Sequence, residues 1–113
     1  MGRITTHVLD TATGRPAAGL RIDLVRPDAP STAAVSVETN ADGRVDGPLV
    51  EGADMTSGAY ELRFHVGAYF RNTGREGGFY ETVPVRFVIE TPEDHFHVPL
   101  LISPFGYTTY RGS

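Results

Sequence analysis

The chain has 113 residues, of which 40% are hydrophobic and 21% charged, and this size and composition predict a single domain over residues 1–113. Its net charge of -4 argues against nucleic acid and anionic membranes as partners, because both require a basic surface. The absence of cysteine excludes disulfides, thiol nucleophiles and thiolate metal sites. Because no apolar segment resembles a signal peptide or a membrane span, we expect a cytoplasmic protein.

Short runs of alternating apolar and polar residues recur along the chain, separated by Gly, Pro, Asn and Asp. The predicted strands are, in chain order, residues 4–10, 19–25, 34–38, a short segment after Pro48, 59–66, 83–91 and two C-terminal strands joined by a tight turn over 103–106. Residues 67–73 are the one stretch predicted to form a short helix. Seven or eight short strands with regular turns predict an all-β, two-sheet sandwich.

The first C-terminal strand has one ordinary face and one unusual face. Its core face carries Phe96, Val98, Leu100 and Ile102, and its opposite face carries His95, His97, Pro99 and Leu101. A face that combines histidines with apolar residues outside the core indicates a covered, functional surface.

The histidines allow two interpretations. His95 and His97 lie roughly 7 Å apart on one strand face, and His7 could join them if its strand is a neighbour, because Val8 takes the core side. Three histidines can hold zinc, but no Asp, Glu or Cys stands at ligand spacing beside them. We therefore expect no metal and no cofactor, and the ordinary alternative is that these histidines face solvent.

The other candidate residues are ambiguous from local sequence alone. Arg44 follows the turn Asn40-Ala-Asp-Gly43 and would ordinarily be a solvated turn arginine. Tyr110 would ordinarily serve packing, but its position beside Arg111 and Ser113 in the segment Tyr-Arg-Gly-Ser makes a polar role plausible.

Several segments resemble the transthyretin family across essentially the whole chain. They are Thr6-His-Val-Leu-Asp10, Thr13-Gly-Arg-Pro-Ala-Ala-Gly19, Asn40-Ala-Asp-Gly-Arg44 and Gly58-Ala-Tyr-Glu-Leu-Arg-Phe64. The enzyme branch, the 5-hydroxyisourate hydrolases, is similar in four further respects. Its members share the histidine on the first strand, the arginine after the Asp-Gly turn, the His-x-His-Val-Pro-Leu strand and the terminal Tyr-Arg-Gly-Ser.

The resemblance implies a transthyretin-like (prealbumin) sandwich that assembles as a homotetramer, with sites at the dimer–dimer interface. It implies hydrolysis of 5-hydroxyisourate, a small-molecule substrate, to 2-oxo-4-hydroxy-4-carboxy-5-ureidoimidazoline in urate degradation. The implied catalytic residues are His7, Arg44 and His97, and the implied substrate-binding residues are His7, Arg44, Tyr110, Arg111, Gly112 and Ser113. Which histidine is the general base stays open. The alternative is a non-catalytic carrier of small aromatic ligands with the same fold.

Overall fold

The structure, a computed structural model, describes residues 1–29 and 35–113. The described residues form nine strands, one 3₁₀ turn and one α-helix. The strands are β1 (Arg3–Asp10), β2 (Arg15–Pro16), β3 (Arg21–Val25), β4 (Val35–Glu38), β5 (Val50–Glu51), β6 (Gly58–Phe64), β7 (Val83–Ile89), β8 (His95–Ser103) and β9 (Gly106–Thr109). The 3₁₀ turn spans Gly52–Asp54, and the helix α1 spans Val66–Asn72.

The strands form two sheets, as the sequence predicts. Sheet A has the order β2-β1-β8-β9, with β5 also paired to β1, and sheet B has the order β4-β3-β6-β7. All pairings are antiparallel except that of β1 with β8, which is parallel. The parallel pair places the N-terminal strand next to the strand with the His-x-His pair.

A single apolar cluster joins the inner faces of the two sheets. Its fully buried members include Ile4, Val8, Leu20, Ile22, Leu62, Phe64, Leu100 and Ile102. Along β1 and β3 the buried residues alternate with more exposed ones, which is the periodicity that a half-buried strand requires, whereas on β8 the outward-facing His97 and Pro99 are also buried. The burial of one face of β1 and β8 therefore fixes which side chains point outward.

The helix α1 is short and is anchored to β1. Val66, Tyr69 and Phe70 form its buried stripe, and Gly74, with φ 82°, follows its end. The Tyr69 hydroxyl donates to the buried Asp10 carboxylate at 2.9 Å. Burial alone would raise the pKa of Asp10, but hydrogen bonds from Arg75 and Tyr69 outweigh it and lower that pKa.

The predicted elements agree with the structure except at their ends. The strand predicted over 59–66 ends at Phe64, because Val66 already begins the helix. The two-residue strand β2 was not predicted, since two residues carry no periodicity. Ala34 and Pro30, placed in a predicted strand and a predicted turn, lie outside the described residues. In the ranges that the structure describes, no helix is long and apolar enough to cross a membrane.

Candidate active site

The pairing of β1 with β8 brings the predicted histidines together. Thr5 lies opposite His97, and His7 lies opposite Pro99. The residues before and after Thr5 and His7 on β1 are buried in the core. Because strand side chains alternate, Thr5 and His7 lie on the outward face of sheet A.

Three hydrogen bonds join four side chains on this face. Nδ1 of His7 lies 2.7 Å from Nε2 of His97, and the two rings stack with their centroids 4.9 Å apart. Oγ1 of Thr5 lies 2.7 Å from Nδ1 of His97 and 2.7 Å from Nε2 of His95. We call these four residues, in the order His95, Thr5, His97, His7, the histidine array.

The ring nitrogens show which member of the pair His7–His97 can contact a small molecule. Both nitrogens of His97 are bonded inside the array, and this side chain is only 9% exposed. His7 uses Nδ1 alone, so within the described residues its Nε2 makes no hydrogen bond. His7 therefore has a ring nitrogen that a small molecule can contact. The hydrogen bond with His97 holds the His7 ring in place.

Arg44 lies beside His7. Its backbone forms an antiparallel bridge with that of His7, and the neighbouring Val8 N–H donates to the Gly43 carbonyl at 2.8 Å. Residues opposite each other in such a bridge present their side chains on the same face. The structure thus places Arg44 next to the array. Its side chain is nevertheless exposed, as expected for a solvated turn arginine.

The environment of the array favours neutral imidazoles. Burial, followed by the charge of Arg44, lowers the pKa of His7. Burial, followed by the charges of His7, Arg44 and His95, lowers the pKa of His97 to about 4. No carboxylate belongs to the array, so no negative charge within it stabilises an imidazolium. At neutral pH both rings are uncharged and one of them can accept a proton.

The C-terminal segment continues the register of β9 toward His97. The Gly112 N–H donates to the His97 carbonyl at 2.8 Å. A Cβ at Gly112 would lie 2.7 Å from Cδ2 of the His97 ring, which is closer than two such carbons approach. Gly112 is implied by the resemblance to bind substrate, and in the structure the space beside its Cα is occupied by the His97 ring.

Tyr110 and Arg111 line the same cavity, together with residues of β7 and β8. Tyr110 is 56% exposed and, with His97, lines a cavity of about 200 Å³ between β7 and the tail. The Arg111 guanidinium lies 4.5 Å from the centre of the Phe96 ring, and Phe96 is on the core face. Within one chain the structure therefore does not bring the Arg111 side chain to His7. Ser113 follows Gly112 and is exposed.

The histidines considered as zinc ligands are hydrogen-bonded to one another and to Thr5. Over residues 1–29 and 35–113, no group of three or more His, Cys, Asp or Glu side chains is arranged to hold a metal ion. That the protein works without a metal stays a prediction.

Two features of this face were not anticipated. Thr5 was not predicted as a site residue, because its only local signal is that it stands two residues before His7 on the same strand face. Pro99, on the face expected to be a covered surface, is already buried within the single chain, whereas Leu101 is half-buried.

Comparisons with known proteins agree with the resemblance noted in the sequence. A model of the HIUase/Transthyretin family matches residues 4–112. The 5-hydroxyisourate hydrolase 2 of Rhizobium meliloti is 58% identical over 116 residues, which cover 99% of this chain and 97% of that protein. The structure of Klebsiella pneumoniae 5-hydroxyisourate hydrolase has a TM-score of 0.84 and 39% identity, and the match covers both chains fully.

A carrier-type relative has the same fold. Sea bream transthyretin, solved in complex with thyroxine, has a TM-score of 0.85 at 27% identity, and the match covers 97% of this chain and 94% of that one. The family match spans nearly all of the sequence, and the hydrolase relatives match it over their whole length. The chain therefore belongs to the HIUase/Transthyretin family.

Proposed function

We propose that this protein hydrolyses 5-hydroxyisourate, opening its six-membered ring in the degradation of urate. Relatives that share 58% and 39% of its residues over their full length are named for this reaction. The observation that carries the proposal is the pair of stacked, neutral histidines beside Arg44, because this is chemistry that a carrier of aromatic ligands does not need.

His7 is the general base in this mechanism. Its Nε2 points away from the array, and its partner His97 has no nitrogen left for water. The neutral imidazole removes a proton from water as the water oxygen attacks the carbonyl carbon of the cyclic amide. The protonated imidazole then gives this proton to the ring nitrogen as the carbon–nitrogen bond breaks, and the products are a carboxylic acid and an open ring.

Arg44 stabilises the negative charge that develops on the carbonyl oxygen during attack. It lies beside His7 on the same face, and its guanidinium presents donors in a planar fork. The same positive charge lowers the pKa of both histidines. Arg44 thus has two effects, one on the oxyanion and one on the base.

We place the tail at the edge of this site. Gly112 lies against the His97 ring, and Tyr110 borders the same histidine. In the proposal the Tyr110 ring and the main chain of residues 111–113 orient the substrate. Arg111 contributes through its backbone or across a subunit boundary, because its own guanidinium stacks on Phe96.

The proposed assembly is a homotetramer whose subunits cover the outward face of sheet A. On this face Thr5, His7, Leu9 and Leu101 are half-buried within the single chain. The edges β7 and β9 expose Val88, Tyr107 and Tyr110. Apolar groups on an otherwise polar face are typical of surfaces that a partner covers. Light scattering of the untagged protein tests this assembly.

The decisive experiment uses freshly generated 5-hydroxyisourate, made from urate with urate oxidase. The ultraviolet absorbance of the intermediate should decay faster when the protein is added, in proportion to its concentration. Saturable binding without faster decay would identify a carrier instead. Activity should also survive exhaustive chelation, and loss in EDTA with recovery in zinc would contradict the metal-free mechanism. The cytoplasm is the proposed compartment, which cell fractionation tests.

A further inference from the structure

Thr5 is the link between the two halves of the histidine array. Its Oγ1 lies 2.7 Å from a ring nitrogen of His95 and 2.7 Å from a ring nitrogen of His97. A hydroxyl carries one proton and two lone pairs, so it can accept from one histidine while it donates to the other. This hydroxyl therefore couples the two hydrogen bonds that it makes, because accepting from one histidine leaves its proton for the other.

Only one direction leaves His7 competent as a base. For Nε2 of His7 to hold a lone pair, its proton must be on Nδ1 and must be donated to Nε2 of His97. A neutral His97 then carries its own proton on Nδ1 and donates it to Thr5. The Thr5 hydroxyl in turn donates to Nε2 of His95, so every hydrogen bond of the array has one donor and one acceptor.

The opposite direction produces an inactive pair. If Thr5 donated to Nδ1 of His97, that ring would carry its proton on Nε2 and donate it to Nδ1 of His7. His7 would then hold its proton on Nε2, the nitrogen that faces the substrate, and could not accept another there. The tautomer of a histidine is set by the bond that its second nitrogen makes, and here that bond is to Thr5.

We propose that Thr5 is a positioning residue that accepts a hydrogen bond from Nδ1 of His97 and donates to His95, thereby fixing the tautomer in which His7 is a base. The inference rests on the proposed hydrolysis, which it deepens by naming the residue that sets the base. It concerns a side chain that acts through His97 and does not itself contact the substrate.

The test removes the hydroxyl without changing the shape of the side chain. Thr5→Val should lower kcat by about tenfold to hundredfold, the range for partners that orient functional histidines, with KM unchanged. Thr5→Ser restores the hydroxyl and should recover most of kcat. Thr6→Val is the matched control, because Thr6 donates to the Val98 carbonyl on the core side of the same strand. It should leave kcat unchanged.

A spectroscopic readout separates this proposal from the hydrolysis itself. Imidazole ¹⁵N shifts should show His97 protonated on Nδ1 in the wild-type protein and in Thr5→Ser, and a mixture of both tautomers in Thr5→Val. Wild-type kcat and an unchanged tautomer in Thr5→Val would overturn the role of Thr5, even with hydrolysis intact. An equal loss of kcat in Thr6→Val would overturn it too, since strand distortion would then explain both.

A wild-type protein without hydrolase activity, but with the expected tautomers, would instead overturn the proposed reaction and leave the array as described. His95→Ala should lower kcat less than Thr5→Val, because His95 is exposed and water can take its place as the final acceptor. A greater loss in His95→Ala would contradict the placement of His95 at the outer end of the array.

Discussion

The outward faces of the two sheets each carry a histidine network, and the two networks differ in charge. On sheet B, Nε2 of His65 lies 2.8 Å from an Asp23 carboxylate oxygen, and Ser36 and Arg21 also donate to Asp23. Nearby, the buried Glu61 accepts from Arg63. Each of these two carboxylates is thus paired with basic side chains, Asp23 with Arg21 and His65, and Glu61 with Arg63.

On sheet A the cluster is entirely basic or neutral. Thr5 links His95 to His97, His97 is bonded directly to His7, and Arg44 adds a positive charge without a carboxylate in the array. A carboxylate partner stabilises an imidazolium, whereas a neighbouring cation opposes it. The two carboxylates of sheet B therefore keep their negative charge beside basic partners, whereas the surroundings of His7 and His97 on sheet A keep these two rings uncharged and able to take a proton.

The largest expected effect is the loss of the base on sheet A. His7→Asn preserves size and some hydrogen bonding but removes the titrating group, so kcat should fall by about 10²–10⁴-fold. The matched control is His65→Asn on sheet B, where the histidine pairs with Asp23, and its kcat should remain at the wild-type value. Turnover of 5-hydroxyisourate is measured for both, with light scattering to follow assembly. Dissociation of His7→Asn would show instead that His7 is an interface residue.

The next effect concerns the arginines of the two faces. Arg44→Lys keeps the charge but loses the planar fork, and we expect about a 10²-fold loss of kcat if Arg44 stabilises the oxyanion. Arg63→Lys is the control, because Arg63 is bound to the Glu61 carboxylate at 2.6 Å, on the other sheet. An Arg44→Lys enzyme as active as the control would return Arg44 to the class of solvated turn arginines.

A smaller effect is expected from the glycine that packs on the array. In Gly112→Ala the new methyl group must displace the His97 ring, whose Cδ2 would lie 2.7 Å away. Misplacing a catalytic group by about 1 Å can cost up to 10²-fold, so we expect a loss of about tenfold in kcat/KM. Gly106→Ala is matched, since its added carbon would meet only Ser103 Oγ at an ordinary 3.7 Å. Equal activity of the two variants would show that the backbone at residue 112 shifts to fit the methyl group and that the His97 ring stays in place.

The sequence predicts the sandwich well because alternation and turn residues are local signals. It also places His7 and His97 on outward faces, since Val8 and Val98 must take the core. It does not supply the parallel register of β1 and β8, which depends on contacts about ninety residues apart. For this reason the role of Thr5 could not be derived from sequence.

The same physical limit applies to Glu61 and Arg111. The burial of Glu61 on the outer face of sheet B depends on Arg63 and Arg86 closing over it, and the second of these comes from the next strand. The orientation of Arg111 depends on the Phe96 ring across the sheet edge. In each case a polar residue takes its position from a partner that is distant in sequence, and alternation alone assigns it only to a face.

The smallest expected effect is on the free energy of unfolding, to which the two networks contribute over different pH ranges. The unfolded histidine has a pKa of about 6.5, and folded His97 has a pKa of about 4. Between these values the unfolded chain binds a proton that the folded chain does not, so the free energy of unfolding decreases as the pH falls through this window. Burial would raise the pKa of Asp23, but hydrogen bonds from Ser36, His65 and Arg21 outweigh it and lower that pKa to about 2. Its stabilising contribution is complete above about pH 4 and is lost as the pH falls toward the folded value.

The two windows can be measured independently by urea unfolding at a series of pH values and one fixed protein concentration. His97→Asn should reduce the pH dependence above about pH 4 and leave a remainder from His7, whose pKa is also lowered. Asp23→Asn should keep the pH dependence above about pH 4. Below that pH its free energy of unfolding should change less with pH than that of the wild-type protein. If His97→Asn showed the wild-type slope between about pH 4 and 6.5, His97 would be charged in the folded protein. The contrast between a charge-holding sheet B and a neutral sheet A would then be wrong.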